Sequence, residues 1–130
     1  MKKKFKPLVS IICNCYNGDR YLLKALKSIV NQTYKNWELI FWDVSSNNKS
    51  KKIYDTFKDK RFRYYRTLKK NKNLYHSRDD AIKKSKGEIL AFIDCDDWWV
   101  ETKLDKQVPF FINKSVNFVY SNVFFFHENS

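Results

Sequence analysis

The stretch that decides the fold of this chain is Glu88-Ile-Leu-Ala-Phe-Ile-Asp-Cys-Asp-Asp97. Its first part is almost entirely apolar, which is typical of a strand buried on both faces, as the strands of parallel sheets are. Its second part places three carboxylates, those of Asp94, Asp96 and Asp97, within four residues. The stretch therefore predicts a buried strand over residues 88–94 that ends in an acidic cluster.

Similar apolar runs occur elsewhere and alternate with helical patterns. They predict strands at residues 8–14, 37–43 and 61–66, and a fifth strand or hairpin at residues 116–126. Apolar residues at helical spacing predict helices that follow Asp19 and that occupy residues 49–58, 77–86 and 102–112. The alternation predicts one domain over residues 1–130, with an α/β fold, a mainly parallel Rossmann-like sheet and helices on both faces.

Three local signals refine this outline. Pro109 is expected to end or kink the last helix, because proline lacks the N–H that a helix interior needs. Gly87 is predicted to follow the C-cap of the third helix. Residues 69–73, which are rich in lysine and asparagine, are predicted to form a basic loop.

Polar side chains follow three of the predicted strands. Residues 14–17 end the first strand, Asp43 ends the second, and the acidic cluster ends the fourth. In α/β sheets ligands bind outside the carboxyl ends of the strands, so these groups meet at one rim if the three strands are neighbours. We expect the binding site at that rim.

The acidic cluster also predicts a metal site. Crowded carboxylates repel one another unless a cation, Lys or Arg neutralises them. Oxygen ligands at this density suit Mg²⁺ or Mn²⁺. Asp94 and Asp96 are the predicted ligands, whereas Asp97 also fits the simpler interpretation of a carboxylate that caps the next helix.

Composition narrows the class of protein further. The chain has 130 residues, of which 43% are hydrophobic, and only two Gly and two Pro, so it can form one packed core. No run approaches the length of about 18 apolar residues that spans a membrane. The net charge is +12, with +13 in residues 1–70 and −1 in residues 71–130. This imbalance indicates either an anionic partner, such as a phosphorylated ligand, a membrane surface or nucleic acid, or simply a solvated surface rich in lysine.

The chain contains three cysteines, Cys13, Cys15 and Cys95. An odd number without a secretory signal argues against a disulfide scaffold and for a reducing compartment. The spacing of Cys13 and Cys15 does not match the usual cysteine pairs of zinc sites. We therefore expect buried free thiols rather than a zinc site.

Four ordered segments resemble the nucleotide-sugar-binding half of a family 2 glycosyltransferase with the GT-A fold. Val9-Ser-Ile-Ile-Cys-Asn-Cys-Tyr-Asn17 resembles the opening strand and Tyr-Asn turn of that family, and Ser28-Ile-Val-Asn-Gln-Thr-Tyr34 resembles the end of its first helix. Glu38-Leu-Ile-Phe-Trp-Asp43 resembles its second strand, and residues 86–108 resemble the segment with its Asp-X-Asp motif. Asp-X-Asp alone is a weak signal, but four matches in order are specific.

The resemblance implies a donor, a cofactor and a set of binding residues. The donor is a nucleotide-diphospho-sugar, the cofactor is Mn²⁺ or Mg²⁺, and the acceptor is the hydroxyl of a glycan or of a lipid-linked molecule. By position, the residues that bind the nucleotide sugar are Asn14, Tyr16, Asn17, Asp43, Arg78, Asp94 and Asp96. Asn14 and Tyr16 line the nucleoside pocket, and Asp43 lies at the base or ribose. Asp96 binds the metal, together with Asp94.

Two departures from the family pattern leave an alternative function open. Val44 stands where the family usually has a second acid that contacts the base, so nucleotide specificity is expected to be blunted. The family's acceptor region and catalytic base come after the part matched here, so we expect a truncated domain and assign no base. The alternative function is a catalytically inactive remnant of the same fold.

The remaining expectations concern partners and location. A basic nucleic-acid-binding module is the weaker alternative, and nucleic acid is not expected as a partner, because an exposed acidic cluster repels it. The resemblance implies a cytoplasmic protein whose attachment to the inner face of a membrane, where it occurs, is peripheral. The apolar run Val123–Phe126 near a sheet edge predicts a homodimer or other self-association.

Overall fold

The computed structural model describes residues 4–45, 47–67 and 74–128, and within them it contains a four-stranded sheet. The strands are β1 (Val9–Cys15), β2 (Trp37–Asp43), β3 (Phe62–Arg66) and β4 (Ile89–Asp94). Their order is β3-β2-β1-β4, and every neighbouring pair is parallel. β1 therefore lies between β2 and β4, which is the condition for one shared rim, and the predicted α/β fold is confirmed.

The residues that the structure describes contain four α-helices, which connect and follow these strands. They are α1 (Asp19–Val30), α2 (Lys49–Tyr54), α3 (Leu74–Lys84) and α4 (Lys103–Gln107), and a 3-10 helix (Val108–Ile112) continues directly from α4. The last predicted helix thus changes type beside Pro109, because proline cannot supply the N–H of an α-helix interior. The basic loop predicted at residues 69–73 lies outside the described residues. None of the described helices has the length and apolar character needed to cross a membrane.

Side chains of the two central strands alternate between two apolar layers. β1 and β2 are buried at every residue. On one face, Ile11 and Phe41 belong to a cluster with Leu22 and Leu26 of α1. Burying one such aliphatic side chain contributes about 1.5–3 kcal/mol, so this layer supplies much of the driving force for folding.

The opposite face of the sheet has its own, smaller cluster. Ile12, Ile40 and Trp42 pack there with Ala81 of α3. Because α1 and α3 cover opposite faces, the prediction of helices on both faces is confirmed. The two layers hold β1 and β2 rigidly, and they fix the positions of the residues at the carboxyl ends of those strands.

The fifth strand predicted at residues 116–126 is wrong, because this segment forms no strand. Its Val and Phe residues favour extended structure, but a strand also needs a neighbouring edge with which to pair. The segment instead contacts side chains outside the sheet. Lys103 Nζ donates to Ser121 Oγ at 3.2 Å, and the centres of the Trp98 and Phe126 rings lie 5.2 Å apart. Because the segment has no partner strand, its aromatic side chains remain exposed.

Gly87 has a different role from the predicted one, since α3 already ends at Lys84. The Gly87 N–H donates to Ser10 Oγ at 2.8 Å. A Cβ on Gly87 would lie 2.6 Å from the Ser10 nitrogen and 2.7 Å from the Leu8 carbonyl oxygen. Glycine is required here because the chain enters β4 directly against the backbone of β1.

Candidate functional site

The carboxyl ends of β1, β2 and β4 lie side by side and form one rim. Cys15 is paired with Asp43 across β1 and β2, and Asn14 is paired with Asp94 across β1 and β4. The turns after β1 and β2 are also joined, since the Asn17 N–H donates to Ser45 Oγ at 3.0 Å. The fold thus brings the polar groups that end these three strands to the same edge of the sheet.

The residues after β4 form a tight acidic turn. The Asp97 N–H donates to the Asp94 carbonyl oxygen at 3.1 Å. One carboxylate oxygen each of Asp94, Asp96 and Asp97 lies within 4.8 Å of the others, and all three residues are exposed. Partial desolvation and the charges of Asp96 and Asp94 raise the pKa of Asp97, as expected for crowded carboxylates. Three accessible oxygens at this spacing fit a hard divalent cation such as Mg²⁺ or Mn²⁺.

Arg78 of α3 reaches the same turn. Its guanidinium nitrogen lies 3.2 Å from Asp94 Oδ1, and the group lies 5.9 Å from the centre of the Phe92 ring. An ion pair this exposed contributes only about 0–1 kcal/mol to stability. Its main consequence is therefore to orient Asp94 and to place a positive charge beside the acidic turn.

Asn14 is a buried polar side chain of the rim whose amide differs from the other buried groups there in its hydrogen bonding. It is 5% exposed, and neither its amide nitrogen nor its amide oxygen has a hydrogen-bond partner within the described part of the chain. The strand register places it between Trp42 and Asp94. A buried group without its hydrogen bonds costs about 1–3 kcal/mol, so this amide is available to a ligand that approaches the rim.

Asp43 also lies at the rim, but its carboxylate is fully buried and already hydrogen bonded. The Ser45 N–H donates to Oδ1 at 2.8 Å, and the Tyr64 hydroxyl donates to Oδ2 at 2.7 Å. Burial and the bond to Asp43 raise the pKa of Tyr64. A contact between Asp43 and a nucleoside would therefore require the side chains that cover this carboxylate to move.

Tyr16 and Asn17 form the turn between β1 and α1. The Tyr16 side chain is 59% exposed, so its ring is accessible at the rim. Asn17 has a φ of 48°, in the left-handed region that asparagine tolerates better than most residues. This backbone conformation directs the chain from β1 into α1, and both side chains are exposed in the turn that follows Asn14 and Cys15.

The three cysteines are free and buried, which confirms the prediction. The Cys15 sulfur lies 3.5 Å from Ser50 Oγ and also interacts with the Cys95 thiol. The contact with the Cys95 thiol lowers the pKa of Cys15, and the same contact, together with burial, raises the pKa of Cys95. Over residues 4–45, 47–67 and 74–128, the group that could hold a metal consists of aspartates and not of cysteines.

The residues of β3 that hold the rim in place were missed by the sequence reasoning. Arg66 donates to the Ser45 and Asn47 carbonyl oxygens at 3.2 and 2.8 Å, and Tyr64 binds Asp43. Their only signal in the sequence is a loose alternation that predicts a strand. That signal does not show which strand lies beside β3, and only the pairing with β2 places Arg66 opposite Asp43.

A cavity of about 480 Å³ lies away from this rim. Its lining includes Lys6, Thr33, Tyr34 and Asp105, which lie near the amino ends of β1 and β2 and beside α4. It shares no residue with the groups described above. The chemistry of the rim, rather than the size of a cavity, therefore defines the candidate site.

The fold and the rim define the chain as an α/β domain of the GT-A type. The structure of S. aureus TarS in complex with UDP-GlcNAc matches with a TM-score of 0.73 and 23% identity, over 82% of this chain and 31% of that chain. Mannosyltransferase PcManGT from Pyrobaculum calidifontis, in complex with GDP-Man and Mn²⁺, matches with a TM-score of 0.66 and 21% identity, over 75% of this chain and 30% of that one. At these identities the likeness establishes the fold.

The chain belongs to glycosyl transferase family 2, whose family model matches residues 10–130. A similar curated relative is UDP-Glc:alpha-D-GlcNAc-diphosphoundecaprenol beta-1,3-glucosyltransferase WfgD of Escherichia coli. It is 32% identical over 123 residues, which are 95% of this chain and 48% of the relative. The chain therefore spans about half the length of the curated relatives it matches. The resemblance found in the sequence is confirmed.

Proposed function

We propose that this chain binds a nucleotide-diphospho-sugar through a divalent cation, for transfer of the sugar to an acceptor hydroxyl. The observation that carries the proposal is the register of Asn14 with Asp94, which sets a buried amide without a hydrogen-bond partner among the described residues beside the acidic turn. The amide offers a hydrogen-bond donor and an acceptor to a nucleoside. The carboxylates offer oxygen ligands to a cation that accompanies a diphosphate.

Asp96 and Asp94 would hold the cation, which is Mn²⁺ or Mg²⁺. When bound, such a cation neutralises the negative charge that builds up on a departing diphosphate. Arg78 keeps Asp94 oriented through its ion pair and adds positive charge on the side of the turn nearest α3. Asp97, whose N–H closes the turn, fixes the geometry of the other two carboxylates.

The nucleoside would lie against Asn14 and Tyr16. The buried amide of Asn14 binds it by hydrogen bonds, and the exposed ring of Tyr16 forms one wall of the pocket. Asn17 keeps the turn between β1 and α1 in place through its N–H. Asp43 contacts the base or ribose after the Tyr64 hydroxyl has moved away from its carboxylate. Without a ligand, its carboxylate stabilises the turn after β2 through the Ser45 N–H.

The names of the relatives support a uridine nucleotide and a lipid-linked acceptor. The name of WfgD specifies UDP-Glc and a GlcNAc-diphosphoundecaprenol, and the TarS structure holds UDP-GlcNAc, whereas PcManGT holds GDP-Man with Mn²⁺. We therefore propose a UDP-sugar as donor and peripheral action at the cytoplasmic face of a membrane. Because the chain spans about half of its relatives, acceptor binding and transfer are proposed for the whole protein.

Isothermal titration calorimetry of the full chain tests this proposal. UDP and GDP are titrated separately, each in the presence of Mn²⁺ and in the presence of EDTA. We expect UDP to bind more tightly with Mn²⁺ by at least about tenfold, which corresponds to about 1.4 kcal/mol. Absence of nucleotide binding under both conditions would support the inactive remnant. Metal-independent binding of an oligonucleotide with steep salt dependence would support the nucleic-acid alternative.

A further inference from the structure

We propose that Cys15 and Cys95 form a reversible intramolecular disulfide that ties the acidic turn to the end of β1. Cys95 stands between Asp94 and Asp96, so a bond at its sulfur would restrain both carboxylates. The proposal concerns a modification site, and it depends on the geometry of the two thiols, independently of the donor.

The pairing of β1 with β4 brings the two cysteines level with each other. Asn14 and Asp94 are the last paired residues of these strands, and Cys15 and Cys95 are the next residue of each. Neighbouring strands lie about 4.7–4.9 Å apart. This spacing applies at the Asn14–Asp94 pair directly before the two cysteines, and it falls within the Cα separation of about 4.4–6.8 Å that a disulfide requires.

The two side chains also point to the same place. Both belong to the apolar cluster under α1, where Cys15 is completely buried and Cys95 is 9% exposed. A Cβ on Gly18 would lie 2.2 Å from the Cys95 sulfur and 3.1 Å from the Cys15 sulfur. The two sulfurs therefore converge on one small space that is open only because residue 18 has no side chain.

Cys13 is less suitable as a partner for either sulfur. It is paired with Ile93 across β1 and β4, and this pair lies two residues further from the rim than Cys15 and Cys95. Along one strand, residues two apart are separated by about 6.6 Å, which is near the upper limit for a disulfide. Oxidation should therefore link Cys15 to Cys95 and leave Cys13 as a thiol.

Hydrogen peroxide supplies a balanced route to this bond. One thiol sulfur attacks the peroxide, the O–O bond breaks, and a sulfenic acid and water form. The second thiol sulfur then displaces the hydroxyl group as water, which creates the S–S bond. In total, two thiols lose two hydrogen atoms and hydrogen peroxide is reduced to two waters. A dithiol reverses the reaction, as expected for a reducing compartment in which disulfides are usually transient.

The first test is a disulfide map of the full chain after treatment with hydrogen peroxide. We expect a product without disulfides between chains, with one alkylatable thiol, that of Cys13, and with the peptides of Cys15 and Cys95 joined. Cys13→Ser should form the same link, and Cys95→Ser should not. A link that includes Cys13, a link between two chains, or three free thiols in the wild-type chain would each overturn the proposal.

The second test measures the restraint on the acidic turn by hydrogen–deuterium exchange. After oxidation, backbone amides of residues 94–97 should exchange several-fold more slowly, and dithiothreitol should restore the original rate. Equal exchange before and after oxidation would show that the bond does not restrain the turn. Neither test uses nucleotide or metal, so failure here is distinct from failure of the proposed donor binding. The disulfide map of the wild-type chain tests the proposal even if a variant does not fold.

Discussion

Asn14 and Asp94 are paired residues of neighbouring parallel strands, but their side chains have opposite surroundings. The Asn14 amide is buried and has no hydrogen bond among the described residues, whereas Asp94 is exposed and paired with Arg78. A folded protein rarely leaves a buried amide unsatisfied, because the loss amounts to about 1–3 kcal/mol. That this loss occurs where three strand ends meet is the main reason for locating the donor there.

Replacing Asn14 by leucine should separate binding from stability. Leucine has a similar size and removes two polar atoms that have no partner in the described part of the chain, so the free energy of unfolding should stay constant or rise by about 1 kcal/mol. The affinity for UDP with Mn²⁺ should fall about tenfold, since one or two hydrogen bonds to the ligand are lost. Urea denaturation and calorimetry measure the two quantities.

Asn36→Ala is the matched control for this substitution. Asn36 is exposed and donates to the Lys6 carbonyl oxygen, near the amino end of β2 and away from the rim. Its replacement should leave nucleotide affinity unchanged. A leucine variant at position 14 that unfolds more easily but binds UDP normally would contradict the proposed role of the amide.

Asp96→Ala should abolish the increase in UDP affinity that Mn²⁺ provides. The substitution removes one oxygen ligand and one of three crowded charges, so metal binding should be lost while the free energy of unfolding is kept or slightly raised. Asp97→Asn should reduce the effect of Mn²⁺ less than Asp96→Ala does, because it keeps a side-chain oxygen and the N–H that closes the turn. Calorimetry measures the affinity for UDP with and without Mn²⁺. If Mn²⁺ raises the affinity of the alanine variant as much as that of the wild type, Asp96 is not a ligand.

Tyr64→Phe should destabilise the chain by about 1–3 kcal/mol, because it leaves Asp43 Oδ2 buried without a partner. Asp43→Asn should also be destabilising, and the double variant should lose less than the sum of the two, since the residues share one interaction. Tyr120→Phe, at a side chain that is 82% exposed, should change nothing measurable. Additive losses in urea denaturation would show that the Tyr64–Asp43 bond does not stabilise the fold.

The order of strands and helices could be predicted because each apolar run is short, continuous and bounded by polar residues. The fully buried β1 and β2 gave the clearest signals, and Asp43 and Asp94 end their strands where the sequence indicated. The position of the rim followed from the general rule for α/β sheets. These features depend on local pattern and on chain order, both of which a sequence contains.

Other features depend on which groups meet in space, and the sequence alone does not contain that information. The partner of Asp43 is Tyr64, 21 residues away, and it is set by the register between β2 and β3. The segment 116–126 has the composition of a strand but contacts the side chains of Trp98 and Lys103 instead of a sheet edge. The position of Gly87 after a helix predicts a residue that follows a C-cap. In the structure, glycine is needed there because the backbone of β1 lies too close to leave room for a side chain.

Gly87→Ala should destabilise the chain by at least about 1–3 kcal/mol, the range for overpacking a well-filled site. The new methyl group would overlap the Ser10 backbone nitrogen, which cannot move without disturbing β1. Lys86→Ala is the neighbouring control, because Lys86 is exposed and only its backbone N–H bonds to Glu38. If thermal denaturation gives the same midpoint for both variants, the close approach at Gly87 is not a constraint.

Protonation of Glu38 in acid should lower the stability of the chain. Burial alone would raise the pKa of Glu38, but hydrogen bonds from Ser10, the Lys86 N–H and Arg63 outweigh that effect and lower it. A carboxyl group whose pKa is lowered by folding stabilises the native state fully above its unfolded pKa of about 4.3. That stabilisation is lost as the pH falls through the folded pKa, because the unfolded chain then binds more protons.

Glu38→Gln should therefore lower the free energy of unfolding at pH 7 and flatten its decline between about pH 5 and pH 3. Asp59, whose pKa is lowered mainly by its hydrogen bonds with Arg61, leaves a residual acid dependence that the glutamine variant retains. Ser10→Ala should give an intermediate slope, since it removes one of the bonds that lower the pKa of Glu38. Urea denaturation at several pH values measures these slopes. A slope in the glutamine variant equal to that of the wild type would show that Glu38 does not contribute to acid sensitivity.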